Sequence, residues 1–157
     1  MVTSTTTDFI RQPAADHPGW DTWDLADQTR FNAQTMGHLI VREETAAGSR
    51  PVVRLRMFPE HRHSNLLNAV HGAVTLALID ISLFAAVRLL LGGDAGGSVT
   101  LDLSTQFIGA GRIDEPLDGL CEVLRETRRL VFLRGTVEQD GHLVAAFNGT
   151  VRKPSAR

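Results

Sequence analysis

Twenty consecutive residues, GAVTLALIDISLFAAVRLLL at 72–91, are apolar on nearly every side of the helix they would form. A surface helix keeps a polar face, so a helix apolar all round has to be enclosed by other elements. At about 1.5 Å of rise per residue the run is also long enough to cross a bilayer. It carries or adjoins His71, Asp80 and Arg88, however, and a charge at the middle of a bilayer is expensive. The run therefore reads as the core helix of a soluble protein.

The rest of the chain offers strands to enclose it. Gly37–Glu43 and Pro51–Phe58 read as two strands, the second alternating apolar and basic side chains, with a turn at Ala46–Ser49. After the helix, Gly92–Gly97 is a flexible turn: a phosphate-cradling glycine loop would open a helix, and this one follows it. Ser98–Ile108, Gly119–Glu126, Leu130–Glu138 and His142–Arg152 are further strands. Asp140-Gly141 is a hairpin signal and Arg125–Arg129 a bulge or tight turn. Two strands, a long helix and a run of antiparallel strands make an α+β fold, a curved antiparallel sheet wrapped around one central helix. Residues 1–18 read as loosely ordered, and 19–36, with Trp20, Trp23, Leu25, Phe31 and Met36, as an amphipathic helical lead-in. This divides the chain into a lead-in at 1–35, one domain at 36–152 and a tail at 153–157.

At 157 residues, 43% hydrophobic and a net charge of −2, the chain has material for one core and no charge bias toward nucleic acid or an anionic membrane. Its single cysteine, Cys121, allows no internal disulfide and reads as a small core residue in a reducing compartment. The N-terminus lacks a basic start followed by an apolar stretch, so the expected location is cytoplasmic.

Asp80 is the chemically conspicuous residue. A carboxylate in an apolar helix costs several kcal/mol unless paired or partly solvated, and the positions three and four residues away are Leu76, Ala77, Leu83 and Phe84. Either a partner comes from elsewhere or the carboxylate is functional. Gly72 opens the helix, where backbone N–H groups lack internal partners and the macrodipole is positive. It can hold a developing oxyanion, or His71 can be the N-cap and Gly72 a packing residue. Eight residues separate Gly72 from Asp80, about 12 Å along the axis and ~80° around it. One helix does not aim both at one atom, whereas two antiparallel copies can, so the spacing points to a dimer with shared sites. His61 and His63, without cysteine or a carboxylate cluster, read as surface loop histidines, and no metal is expected.

Asn65-Leu-Leu-Asn-Ala-Val-His71-Gly72, followed by Asp80, resembles the active-site motif of hotdog-fold acyl-CoA thioesterases, the PaaI-like (phenylacetate-pathway) group in particular. SVTLDLSTQFIGAGR and GHLVAAFNGTVR resemble the strand after the central helix and the final strand of that family, and the likeness covers about 36–152. It implies hydrolysis of acyl-coenzyme A, with coenzyme A part of the substrate and no separate cofactor. It makes Asp80 the general base or nucleophile and Gly72 the oxyanion donor, with His71 and Asn65 orienting thioester or water. Thr100, or Ser98 in a shifted register, positions the water. Arg125–Leu130 falls where the family holds coenzyme A; Arg125, Arg128 and Arg129 suit phosphates, or else form a solvated turn. The family assembles as homo-oligomers, dimers or homotetramers. Ala73 departs from the usual second glycine, and Phe84 is bulky for a position one turn after Asp80. Two rival readings are a hydratase or dehydratase, disfavoured because no histidine follows Asp80 in the helix, and a non-catalytic acyl-CoA-binding module.

Overall fold

The computed structural model describes residues 9–92 and 96–154. Among the described residues nine strands lie along the chain: β1 (Phe9–Ile10), β2 (Asp21–Thr22), β3 (Asp24–Leu25), β4 (Leu39–Glu44), β5 (Val52–Met57), β6 (Val99–Phe107), β7 (Leu117–Glu126), β8 (Leu130–Gln139) and β9 (His142–Arg152). Helix α1 runs Gly72–Leu90 between β5 and β6. Seven strands form one antiparallel sheet in the order β2-β4-β5-β7-β8-β9-β6, and β1 pairs with β3 apart from it. The expected strands and central helix are all present, and the architecture is the hotdog fold.

The helix is enclosed as its composition demands. Leu78, Ile79, Leu83, Ala85 and Ala86 are fully buried and share one cluster with Val53, Leu55, Met57, Leu117, Val131, Leu133 and Val151 of the sheet. Cys121 belongs to that core, and burial pushes its thiol far above the ordinary value. Two glycines set how closely helix and sheet approach. A Cβ on Gly119 would fall 2.4 Å from Ser82 Oγ, and one on Gly149 would fall 2.6 Å from Leu83 Cδ1.

The basic face of β5 turns outward and meets acids the linear pattern does not pair with it. Arg54 donates to Glu44, Asp118 and Glu138, while Arg56 takes both oxygens of Asp118. The Arg54 hydrogen bond holds the Glu44 carboxyl below its ordinary value. Asp140 and Gly141 both have positive φ, 43° and 79°, as a tight β8–β9 hairpin requires.

The lead-in differs from the expected helix. Asp21–Thr22 and Asp24–Leu25 are two short strands, and among the described residues of the lead-in the only helical turn is a π-turn at Asn32–Met36. Trp20 and Trp23 are three apart, a helical spacing, but in extended chain that spacing points them to opposite faces. Trp20 joins Ala14 and Ile40 outside the sheet while Trp23 joins the main core. Ala14 is buried and bonds Trp20 through backbone, and Thr22 bonds Gln12, so part of the stretch expected to be loosely ordered is tied to the fold; residues 1–8 lie outside the described part. The Gly92–Gly97 turn falls partly outside it too, as does most of the 153–157 tail.

Replacing Gly149 by alanine drives a methyl group into Leu83. The expected cost is ~1–3 kcal/mol, lowering the melting temperature by roughly 3–10 °C; an unchanged melting curve would show that the helix does not sit this close.

Candidate active site

The buried face of α1 stops short of Asp80, which is half-buried on the helix flank. Its partner comes from the sheet: Thr100 Oγ1 donates to Asp80 Oδ1 at 2.7 Å. A β-bulge selects Thr100. The register with β9 runs Thr100↔Val151 and then Asp102↔Thr150, so Leu101 is an extra residue. Thr100 takes the place a regular strand would give to residue 101, on the helix-facing side with Leu103 and Phe107. Leu101 is displaced into the open and is 53% exposed. Ser98 is not brought to Asp80 by any hydrogen bond; its Oγ is buried without a partner among the described residues.

The helix start is arranged differently. His71 is the N-cap, and its Nδ1 accepts from Ala73 N at 3.0 Å. Its carbonyl accepts from Val74 N and Thr75 N. Of the first four N–H groups of α1, this leaves Gly72 N–H without an acceptor among the described residues. The capping and oxyanion readings of His71-Gly72 are therefore compatible, because the cap satisfies the neighbours and leaves one donor open. The Phe107 ring lies 3.5 Å from where a Gly72 Cβ would stand.

Asn65 organises the loop before the helix. Its Oδ1 accepts from Leu67 N and Ala69 N, leaving Nδ2 with no partner among the described residues. That loop carries Leu66 and Leu67 at 102% and 86% exposure, beside a depression lined by His61, Asn65 and His71. A separate groove of about 550 Å³ on the outer sheet face, lined by Ser104, Gln106, Arg134 and Asn148, contains none of the expected site residues.

His63 corrects the sequence reading of two surface histidines. His61 is exposed, but His63 is 2% exposed and uses both ring nitrogens within the fold. No signal in the HRH triplet separates the two.

Arg125, Arg128 and Arg129 are exposed around the β7–β8 turn, which Thr127 closes through bonds to Leu130. A bulge between Val123 and Arg125 precedes the turn. Val131 pairs with Val151, which pairs with Thr100. The arginine turn thus lies at the Asp80 end of the sheet, joined there by Arg152 and Lys153, cations whose cross-strand position only the register reveals. Phe84 is half-buried and packs against the main core.

The expected site residues thus fall into two groups: Asp80, Thr100 and the arginines at one end of β6, and Gly72, His71 and Asn65 at the other. Thr100 and Phe107, which mark the two ends, are about 20 Å apart along an extended strand.

Residues 67–146, just over half of the chain, match the sequence profile of the thioesterase superfamily. No curated protein matches the chain. Among solved structures, zebrafish thioesterase superfamily member 2 is 25% identical, with 73% of this chain and 81% of that one covered and a TM-score of 0.59. The BH2602 protein of Bacillus halodurans, crystallised with CoA, is 25% identical over 63% of this chain and 65% of that one, TM-score 0.58. A mutant of the phenylacetic acid degradation protein PaaI of Thermus thermophilus shares the fold at 21% identity, covering 78% and 97%, TM-score 0.61.

Thr100→Val keeps the shape and removes the hydroxyl from Asp80. A hydrogen bond to a charged group is worth ~1.5–3 kcal/mol, so kcat for thioester hydrolysis should fall by roughly 10–100-fold with the fold intact, and Thr100→Ser should restore most of it. Full turnover in Thr100→Val would remove Thr100 from the site.

Proposed function

As the chain belongs to the thioesterase superfamily and is a thioester hydrolase, we propose that it cleaves acyl-coenzyme A to a free acid and coenzyme A, with Asp80 as its catalytic carboxylate. The observation that carries this reading is the 2.7 Å bond from Thr100 to one oxygen of a half-exposed Asp80. One carboxylate oxygen is fixed and the other is left to act. Asp80 removes a proton from water as its oxygen attacks the thioester carbonyl. The developing oxyanion is met by an N–H aligned with the helix dipole, the open donor at Gly72. As the intermediate collapses the carbon–sulfur bond breaks, and the proton held by Asp80 goes to the departing thiolate. Direct attack by Asp80, giving an anhydride that water then opens, uses the same groups. Asn65 Nδ2 and His71 orient thioester or water.

These roles need two copies of the chain, because the half-sites lie at opposite ends of β6. That strand supports such a pairing. It is a nine-residue sheet edge, and Val99, Leu101, Phe107 and Ile108 are exposed on or beside it. A long unpaired edge with exposed apolar side chains is a template for another strand. Antiparallel pairing about a two-fold axis at Ser104 sets Thr100 opposite the partner's Phe107, with both on the helix-facing side. Asp80 then meets the partner's Gly72, and the exposed Leu66 and Leu67 gain a neighbour. Pairs of such dimers would form the homotetramer that the family resemblance implies, in the cytoplasm.

The CoA moiety is assigned to Arg125, Arg128, Arg129 and Leu130 at the Asp80 end. Support comes from their position and from the CoA-bound state of the Bacillus halodurans relative.

Asp80→Asn should lower kcat by about 10²-fold or more without unfolding the chain. Mixing it with an Asn65→Ala chain should recover part of the activity, since some hybrid dimers hold one intact site. Near-wild-type turnover in Asp80→Asn sinks the assignment, and no recovery despite subunit exchange sinks the shared site. Replacing Arg128 and Arg129 by alanine should raise KM for an acyl-CoA about tenfold with kcat nearly unchanged, because remote contacts bind ground and transition states alike. The N-acetylcysteamine thioester, which lacks the phosphates, should be unaffected; an equal penalty on both esters, or none, would make the cluster a solvated turn.

A further inference from the structure

We infer that His63 and Arg62 are positioning residues: they clamp the loop carrying Asn65 and the start of α1 onto a π-turn of the lead-in. The inference rests on the reading that Asn65 and the Gly72 N–H face the thioester.

The clamp follows from an accounting of backbone groups. The turn at Asn32–Met36 closes with Gly37 N bonded to Asn32 O, and its last carbonyls have no acceptor role within so short an element. Two successive ones are taken by two successive side chains. Arg62 Nη1 donates to Gln34 O at 2.6 Å, and His63 Nε2 bonds Thr35 O at 2.7 Å. The His63 tautomer is set from its other side: Nδ1 accepts from Glu60 N at 2.8 Å, so Nε2 carries the proton that Thr35 O receives. The π-turn is itself immobilised, since Met36 is fully buried in the main core.

On the other side the clamp reaches the site through backbone. His63 O accepts from His71 N at 2.8 Å, which fixes the N-cap whose neighbour is the open Gly72 donor. Ser64 and Val70 form an isolated bridge, and Asn65 lies within the loop so pinched. The chain thus ties residues 34–35, 62–63 and 71 into one rigid unit. The lead-in, outside the residues that match the thioesterase profile, becomes part of the support for catalysis.

The two ring nitrogens of His63 have different tasks, which makes the inference testable. Glutamine can place a donor near the position of Nε2 and keep the bond to Thr35 O. Asparagine can place an acceptor near the position of Nδ1 and keep only the local bond to Glu60 N. Acyl-CoA hydrolysis and melting temperature would be measured for the full chain carrying His63→Gln, His63→Asn or Arg62→Met, with Asp80→Asn alongside. The expected result is kcat within about threefold of wild type for His63→Gln. For His63→Asn and Arg62→Met it should fall about tenfold or more, since displacements near 1 Å in a site can cost up to 10²-fold. KM should change little in all three. If His63 serves only to stabilise its own turn, His63→Asn turns over as fast as His63→Gln, and the inference is overturned. Should both His63 variants fail to fold, Arg62→Met decides alone, because its side chain is 44% exposed and outside the core: wild-type kcat overturns the clamp, and a reduced kcat at unchanged KM supports it. Clamp variants with full activity beside an inactive Asp80→Asn reject the clamp and leave the site reading standing. An active Asp80→Asn rejects the site reading itself.

Discussion

Everything in this fold follows from enclosing one helix that has no face suited to water. The sheet must come close enough to cover it, and at Gly119 and Gly149 it comes so close that no Cβ fits. This proximity determines more than stability. It fixes the rotation of α1 and therefore leaves Asp80 on the flank, where one strand can reach it with a hydroxyl and solvent can still enter. A helix held farther away by alanines would leave the carboxylate either unpartnered or free to turn.

The polar groups near the site show the same economy. His71 satisfies Ala73, Val74 and Thr75, and Asn65 satisfies Leu67 and Ala69. Among the described residues, the Gly72 N–H and Asn65 Nδ2 are left open. Burial of an unmade hydrogen bond is costly, so donors left open beside an accessible depression are suited to a visiting acceptor. Capping and the proposed oxyanion contact draw on the same few residues because a helix start supplies more donors than its cap consumes.

Much of this was legible in the chain. The central helix and six long strands announce themselves through periodicity, and the Gly72–Asp80 spacing already puts these two groups where one helix does not aim both at one atom. Thr100 could be named only together with Ser98, because the extra residue at Leu101 that settles the register leaves no mark in composition. The lead-in misleads because Trp20 and Trp23 have helical spacing yet serve two different hydrophobic clusters. His63 is not separable from His61 in the sequence because its long-range partner, Thr35 O, is a carbonyl of a π-turn, an element without a propensity signature. Arg152 and Lys153 escaped notice because their closeness to the arginine turn is a matter of strand pairing.

The two edges of the main sheet are unequal. One is β6, nine residues long with Val99, Leu101 and Phe107 exposed; the other begins with β2, two residues long, beyond which β4 shows Arg42, Glu43 and Glu44. A short stub flanked by charge is a poor template for strand addition. Head-to-tail stacking of β6 onto that edge would therefore find almost nothing to pair with, whereas like edges could join along their whole length. Such a joint is isologous and ends in two stubs. The unequal edges thus make any growth of the sheet self-limiting, stopping at two chains and closing the route to a fibre.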